Sequence, residues 1–293
     1  MFGMALIPLL KNSNKVIIAM IASISSLITN LVLDYLFVYT FEFGLVGAAW
    51  ASVIAQGIAA TISIIFYFKE IKGIDFSLTR LRLIFKSALA PFILTYSYSI
   101  LIIITNALCI NYGGDECVAA YTLLSYLMYI ISALAAGTAD SIQPLFSYNN
   151  GCKNYIENYK LLKKCLIISF CLILLISSLF LIFREELSNL YNLSNKANDY
   201  YNIGIWYYLV GFLFVSIYKV ICSYFYSISK NRNANILILL EPFILTPIAY
   251  IVFCSIFDGV GIWIGYLAAQ VSLMCVSVLM LEKTISNQRY ISI

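Results

Sequence analysis

Residues 26–56 read SLITNLVLDYLFVYTFEFGLVGAAWASVIAQ, a run apolar enough to lie in a bilayer except for one carboxylate, Asp34. An ionised Asp in hydrocarbon costs at least about 2.5–3.5 kcal/mol even on lenient insertion scales. Such a residue therefore faces a wet cavity or a partner and marks an ion or substrate path. Asn30 precedes it by four residues and shares its helix face. Together the two offer amide and carboxylate oxygens to one point, which suits a small hard cation or a bound proton. The competing reading is an Asp that caps the outer helix end or reaches the headgroups, since Asp34 lies about six residues from that end.

Outward from this stretch the chain keeps the same character. Of its 293 residues 62% are hydrophobic and 11% charged, whereas a soluble globular domain carries about a quarter charged residues. The composition is that of a polytopic membrane protein, with the lipid bilayer as its main partner. No basic patch for nucleic acid exists. There is no histidine, which removes the commonest metal ligand and the ordinary proton shuttle, so proton coupling would have to run through carboxylates. Histidine-based catalysis is equally excluded, and nothing in the sequence reads as an enzyme or calls for a cofactor. Among the eight cysteines, Cys165, Cys171, Cys222, Cys254 and Cys275 sit in apolar runs without CxxC spacing and read as small apolar fillers. Cys109 and Cys117 flank one short loop.

Apolar runs of about 20 residues or more fall near 16–40, 45–68, 83–108, 117–143, 161–183, 201–228, 235–257 and 260–281. Unpaired amides in lipid are too costly for anything but helix, and the alternation of a barrel strand is absent. The expectation is an all-α membrane protein with about eight transmembrane helices. Fifteen Lys and Arg, from Lys11 to Arg289, fall in loops of one side, against Arg184 and Lys196 on the other. That bias places the rich side in the cytoplasm and both ends of this chain with it, in the cytoplasmic membrane.

The first and last hairpins also echo each other. A shift of 214 superposes Phe43, Val46, Gly47, Ala55 and Gln56 on Phe257, Val260, Gly261, Ala269 and Gln270. The turns before them, Lys11-Asn12-Ser13-Asn14 and Lys230-Asn231-Arg232-Asn233, agree at a shift of 219. Both hairpins leave from and return to the same side, so the repeats are parallel. This divides the chain into the last hairpin of a first lobe (1–72), a linker (73–82) and a complete six-helix lobe (83–293). By the same shift, a full first lobe would need four more helices, about 130 residues, ahead of Met1.

Three stretches then resemble the multidrug and toxic compound extrusion (MATE) family: Asn30-Leu-Val-Leu-Asp34 with Gly44-Leu-Val-Gly-Ala-Ala49; Gly137 to Gly151, GTADSIQPLFSYNNG; and Glu241-Pro242 through Gly259-Val-Gly-Ile-Trp263. The resemblance covers nearly the whole chain. It implies a twelve-helix, two-lobe fold, which agrees with four absent helices. It implies a cation-coupled antiporter in which sodium or proton entry drives export of small, drug-like, often cationic organic molecules. Asn30 and Asp34 match the family's fifth-helix amide and carboxylate, and Ser52 stands where a nearby hydroxyl is found. The family's partner Asp on the first helix has no counterpart here, and residues 83–108 hold no carboxylate, so the coupling ion stays open between sodium and proton. A lipid-linked polysaccharide flippase of the same superfamily is the rival function. A fragment inactive alone, or a half whose missing helices sit on a separate chain, is the rival from another class.

Two further charges lie within apolar spans. Lys219 sits about 13 Å and Glu241 about 10 Å from the inner ends of consecutive antiparallel helices, a matched depth that suits a charge pair or a substrate or proton site. Asp140 is expected to meet a cation near a helix end, and Pro144 to Gly151 to end that helix. Tyr126 and Tyr129 divide evenly between packing and a wall for organic cations. Trp206, Tyr207 and Tyr208 suit an interfacial belt.

Overall fold

A computed structural model describes residues 6–7, 9–10, 13, 15–67 and 77–291. The first residues of the expected linker, 73–76, lie outside them, as does 68–72. Every regular element among the described residues is helical, and six stretches are long and apolar enough to cross a membrane. Two of these, Ser99–Gly151 with 53 residues and Asn231–Ser286 with 56, are each long enough for two passes at 1.5 Å per residue. The chain folds as two compact units, Met1–Arg82 and Leu83–Ile293.

In the first unit, α1 (Val16–Asp34) runs into a π-helical segment, Tyr35–Thr40, and α2 (Gly44–Tyr67) returns antiparallel to it. Lipid offers helices no hydrophobic drive to associate, so they pack where small residues let backbones approach. Gly47, Ala51, Ala55, Ala59 and Ser63, spaced by four, form the buried stripe of α2, and Ala19 and Ala22 are the buried residues of α1. The Lys15 ammonium closes the open end by donating to the Phe66 carbonyl at 2.8 Å. Large apolar side chains such as Ile17, Leu31 and Val53 point outward, as a lipid-facing surface requires.

The second unit holds α3 (Leu78–Gly151), α4 (Tyr155–Ile182), the short α5 (Arg184–Leu190), α6 (Asn195–Ser227), α7 (Asn231–Leu240), a π-helical segment Glu241–Leu245, α8 (Thr246–Phe257), a 3-10 turn Asp258–Val260 and α9 (Gly261–Ile291). α3 is two helices joined at Gly114, where φ is +70° and ψ −166°, a backbone state open to glycine at no steric penalty. α6 is the central pillar: Tyr201, Ile205, Tyr208, Phe212 and Phe225 are all buried. Tyr208 stacks on Tyr266 of α9 at 4.1 Å and 6° and meets Trp263 edge-on. Tyr208 thus belongs to the core rather than to an interfacial belt, while Trp206 of the same trio is exposed. One helical turn carries both, and the 100° between neighbours sends them to opposite environments.

α3 continues through Pro144 to Gly151, where turn chemistry suggested an earlier end. A proline inside a helix withholds one N–H. Two serines of α6 answer beside the gap, Ser223 donating to the Ala139 carbonyl at 2.9 Å and Ser227 to that of Gln143 at 3.2 Å.

Candidate functional site

The first unit contains a cavity of about 320 Å³ lined by Ile7, Ser23, Ser26, Leu27, Asn30, Ser52, Ala55, Gln56 and Ala59. α1 supplies the serines and Asn30 on one face, and α2 supplies Ser52 and Gln56 beside the alanine stripe, whose missing side-chain volume makes the room. Asn30 and Ser52, expected together from the sequence, do line this one space. Asp34 lies a turn further along α1 and is not part of the lining. Asn30 Nδ2 and Asp34 Oδ1 are both shielded, and neither has a hydrogen-bond partner among the described residues. Leaving a buried polar atom unsatisfied costs about 1–3 kcal/mol, more for a charged group. Two such atoms one helical turn apart are therefore an uncompensated expense for a purely structural pair.

Gln56 was not anticipated as a site residue. Its signal in the sequence was a lone amide inside an apolar span, and the cavity gives it a place opposite Asn30.

The second unit gathers polar groups around Glu241, the first residue of the π-helical segment and 5% exposed. Its carboxylate accepts from the Tyr218 hydroxyl at 2.7 Å and from Gln270 Nε2 at 2.9 Å. Lys219 follows Tyr218 on α6, its ammonium 5.9 Å from that ring's centroid. A cavity of about 160 Å³ next to them is lined by Asp140, Gln143, Tyr218, Lys219, Cys222, Ser223 and Tyr226 among others. Asp140 faces this space together with Lys219. Tyr218 and Gln270 are the residues that the sequence left unassigned here.

Tyr126 and Tyr129 are about half exposed, at 49% and 54%. Tyr126 rests against the ring of Tyr191 at 5.8 Å. Cys109 and Cys117 are both free and buried. No group of three or more Cys, Asp or Glu among the described residues is arranged to hold a metal ion.

Comparison with known proteins bears on what these sites belong to. Residues 91–251 match the MatE family model. The chain is 23% identical over 259 residues to the multidrug export protein MepA of Staphylococcus saprophyticus, a match covering 80% of this chain and 53% of that protein. It is 25% identical over 142 residues to MepA of Staphylococcus haemolyticus, covering 46% and 31%. The chain thus spans about half the length of the first of these curated relatives. Among solved structures, a MATE in complex with MaL6 superposes with a TM-score of 0.83 at 20% identity, covering 99% of this chain and 67% of that one. An outward-facing multidrug resistance MATE family transporter of the MOP superfamily gives 0.83 at 20% identity, covering 93% and 63%. A MOP superfamily transporter from Pyrococcus furiosus gives 0.80 at 20% identity, covering 92% and 63%. With the family model spanning more than half of its length and the fold shared along nearly all of it, this multi-pass membrane chain belongs to the MatE family of transporters, not to any class of enzyme.

Proposed function

We propose that the chain is the larger part of a cation-coupled antiporter that exports small, drug-like organic molecules, with Asp34, Asn30 and Ser52 as the cation or proton site. The observation that carries this reading is the pair of shielded atoms without a partner among the described residues, Asn30 Nδ2 and Asp34 Oδ1, beside a cavity that Asn30 and Ser52 line. A shielded carboxylate atom without a partner among the described residues gains several kcal/mol from an arriving cation or proton. That gain is available to drive a conformational step. The names of the MepA relatives support export of organic compounds as the task. Lys219 is the sole Lys or Arg deep within the apolar spans, away from their ends, so a lipid-linked sugar with its anionic diphosphate is a poorer fit than an organic cation.

In this reading the eight apolar runs are eight spans, arranged as the hairpin of 1–72, the connection at 73–82 and the six-helix lobe of 83–293, with both ends cytoplasmic. Helices supplied by a preceding segment or a separate chain complete the first lobe, and Tyr126 and Tyr129 offer ring faces to the substrate. The 293-residue chain alone then does not drive efflux, while the completed transporter does. The test is drug efflux from vesicles carrying the completed protein under an imposed sodium or proton gradient. Asp34→Asn is expected to abolish gradient-driven efflux with normal expression, and whichever gradient drives the wild type identifies the ion. Efflux at the wild-type rate in Asp34→Asn would overturn the assignment.

A further inference from the structure

The turn between α3 and α4 and the first three turns of α4 carry a charge that neither polar site uses. Lys153, Lys160, Lys163 and Lys164 are all exposed there. We propose that the lysines of α4 form a docking site for the headgroup of an anionic phospholipid, whose acyl chains lie along the apolar surface of the same helix.

The argument starts from the way α4 faces. Asn158, Leu162, Cys165, Ser169 and Ile173 are among its buried residues and mark the side turned to the rest of the second unit. Asn158 Nδ2 donates to the Phe146 carbonyl of α3 at 3.3 Å, which fixes that side at the level of the lysines. With 3.6 residues per turn, Ile156, Lys160, Lys163, Lys164, Ile167 and Leu174 fall within an arc of about 100° on the other side. Ile156, Ile167 and Leu174 are all exposed. The lysines therefore stand on the face that meets lipid.

Their depth suits a headgroup. Lys163 and Lys164 open the apolar run that begins at 161, and Ile167 follows about 5 Å deeper. Stems of this length lie on apolar surface while their ammoniums reach the polar layer. Tyr155 and Tyr159 sit half-buried at the same level, where amphipathic rings collect at a membrane boundary. The Lys163 ammonium rests 4.7 Å from the centroid of the Tyr159 ring.

Charge selects the occupant. Glu157, the one acid between 150 and 170, pairs with Lys160 at 2.7 Å, so the four lysines leave three positive charges in excess. Lys160 and the lysines three and four residues after it are neighbours on the helix surface. One phosphodiester can accept from two of these ammoniums at once. A phosphatidylcholine brings its own cation to the same place and loses most of that attraction, whereas a phosphatidylglycerol does not. In the orientation proposed above, this end meets the cytoplasmic leaflet, where anionic lipids create a negative surface potential. The docking site itself rests on the face and charge of α4, and on neither that orientation nor the Asp34 reading.

Native mass spectrometry of the 293-residue protein, released from detergent with added palmitoyl-oleoyl phosphatidylglycerol or the matching phosphatidylcholine, tests the site without any need for transport. The wild type should bind the first phosphatidylglycerol at least about tenfold more tightly than the first phosphatidylcholine, and Lys164→Gln should cut that preference about fivefold, as one ammonium at a membrane surface is worth. Lys160→Gln, Lys163→Gln and Lys164→Gln combined should leave the two lipids equal, with phosphatidylcholine binding unchanged. The same three changed to Arg should keep the preference, which separates lost charge from lost structure. Lys196→Gln, near the start of α6, should have no effect. Glycerol 3-phosphate, the same phosphate without acyl chains, should give no adduct at the lipid's concentration. Equal binding of the two lipids by the wild type, a preference that survives the triple Gln variant, or a loss in Lys196→Gln as large as in Lys164→Gln would overturn the proposal. An abundant glycerol 3-phosphate adduct would overturn it as well, by making the site one for a soluble phosphate.

Discussion

A lone charge in a low-dielectric interior is worse than a pair and worse than none. Lys219 and Glu241 both lie against Tyr218, so removal of the lysine alone should weaken the support of the buried carboxylate. Lys219→Met is expected to lower thermal stability in detergent by about 3 kcal/mol, and Lys219→Met with Glu241→Gln by clearly less. Additive losses in the double-mutant cycle would show that the two charges do not communicate. At this scale the sequence announced the charges, because an ionisable residue in an apolar span is conspicuous by type alone. It did not announce Tyr218 or Gln270, whose roles depend on which way α6 and α9 turn toward the π-helical segment. Tyr208 was misplaced for the same reason: a tyrosine near a helix end suits headgroups and core alike, and only the facing Tyr266 and Trp263 decide.

Glycines show how the elements are locked. α2 and α9, the return helices of the two repeated hairpins, carry the matched Gly47 and Gly261. A Cβ on Gly47 would come within 3.0 Å of the Phe37 backbone, and one on Gly261 within 2.3 Å of the Phe253 carbonyl oxygen. Backbone atoms cannot swing aside, so Gly261→Ala should cost about 2–3 kcal/mol or prevent assembly of the α8–α9 corner. Gly137→Ala, where nothing among the described residues lies within 4 Å, should be neutral or gain up to about 1 kcal/mol from helix propensity. Thermal unfolding of the two variants side by side checks both, and equal stability would mean that α8 and α9 approach less closely than these distances require. The repeat was legible in the sequence because such close approaches admit no other residue type. The π-helical segments at Tyr35–Thr40 and Glu241–Leu245 were not. Helical periodicity is a property of many residues, and one extra residue per turn leaves no mark on it. Pro144 by itself did not end α3, which runs on to Gly151, the last residue of the segment expected to close it.

For the molecule as a whole, hydropathy fixes that the chain crosses the membrane and charge chooses the direction. The crossing follows from six stretches of sufficient length and apolarity, two of them turning back at Gly114 and Asp258, where φ is positive. Direction rests on the unequal Lys and Arg content of alternate loops. The turn between α3 and α4 provides a handle on it. Asn150, Gly151 and Cys152 close α3, Asn154 caps α4 by accepting from the Glu157 N–H at 3.4 Å, and Lys153, Lys160, Lys163 and Lys164 cluster around it. Cys152 is free and exposed, whereas Cys109, Cys117, Cys165, Cys222 and Cys254 are buried and closed to a charged reagent. Cys171 and Cys275 are exposed too, but each falls in the middle of an apolar run, where lipid keeps such a reagent away. A membrane-impermeant maleimide should therefore label Cys152 in inside-out vesicles and leave it untouched in intact cells, with Cys152→Ser removing the signal. Labelling from the outer face would reverse the orientation.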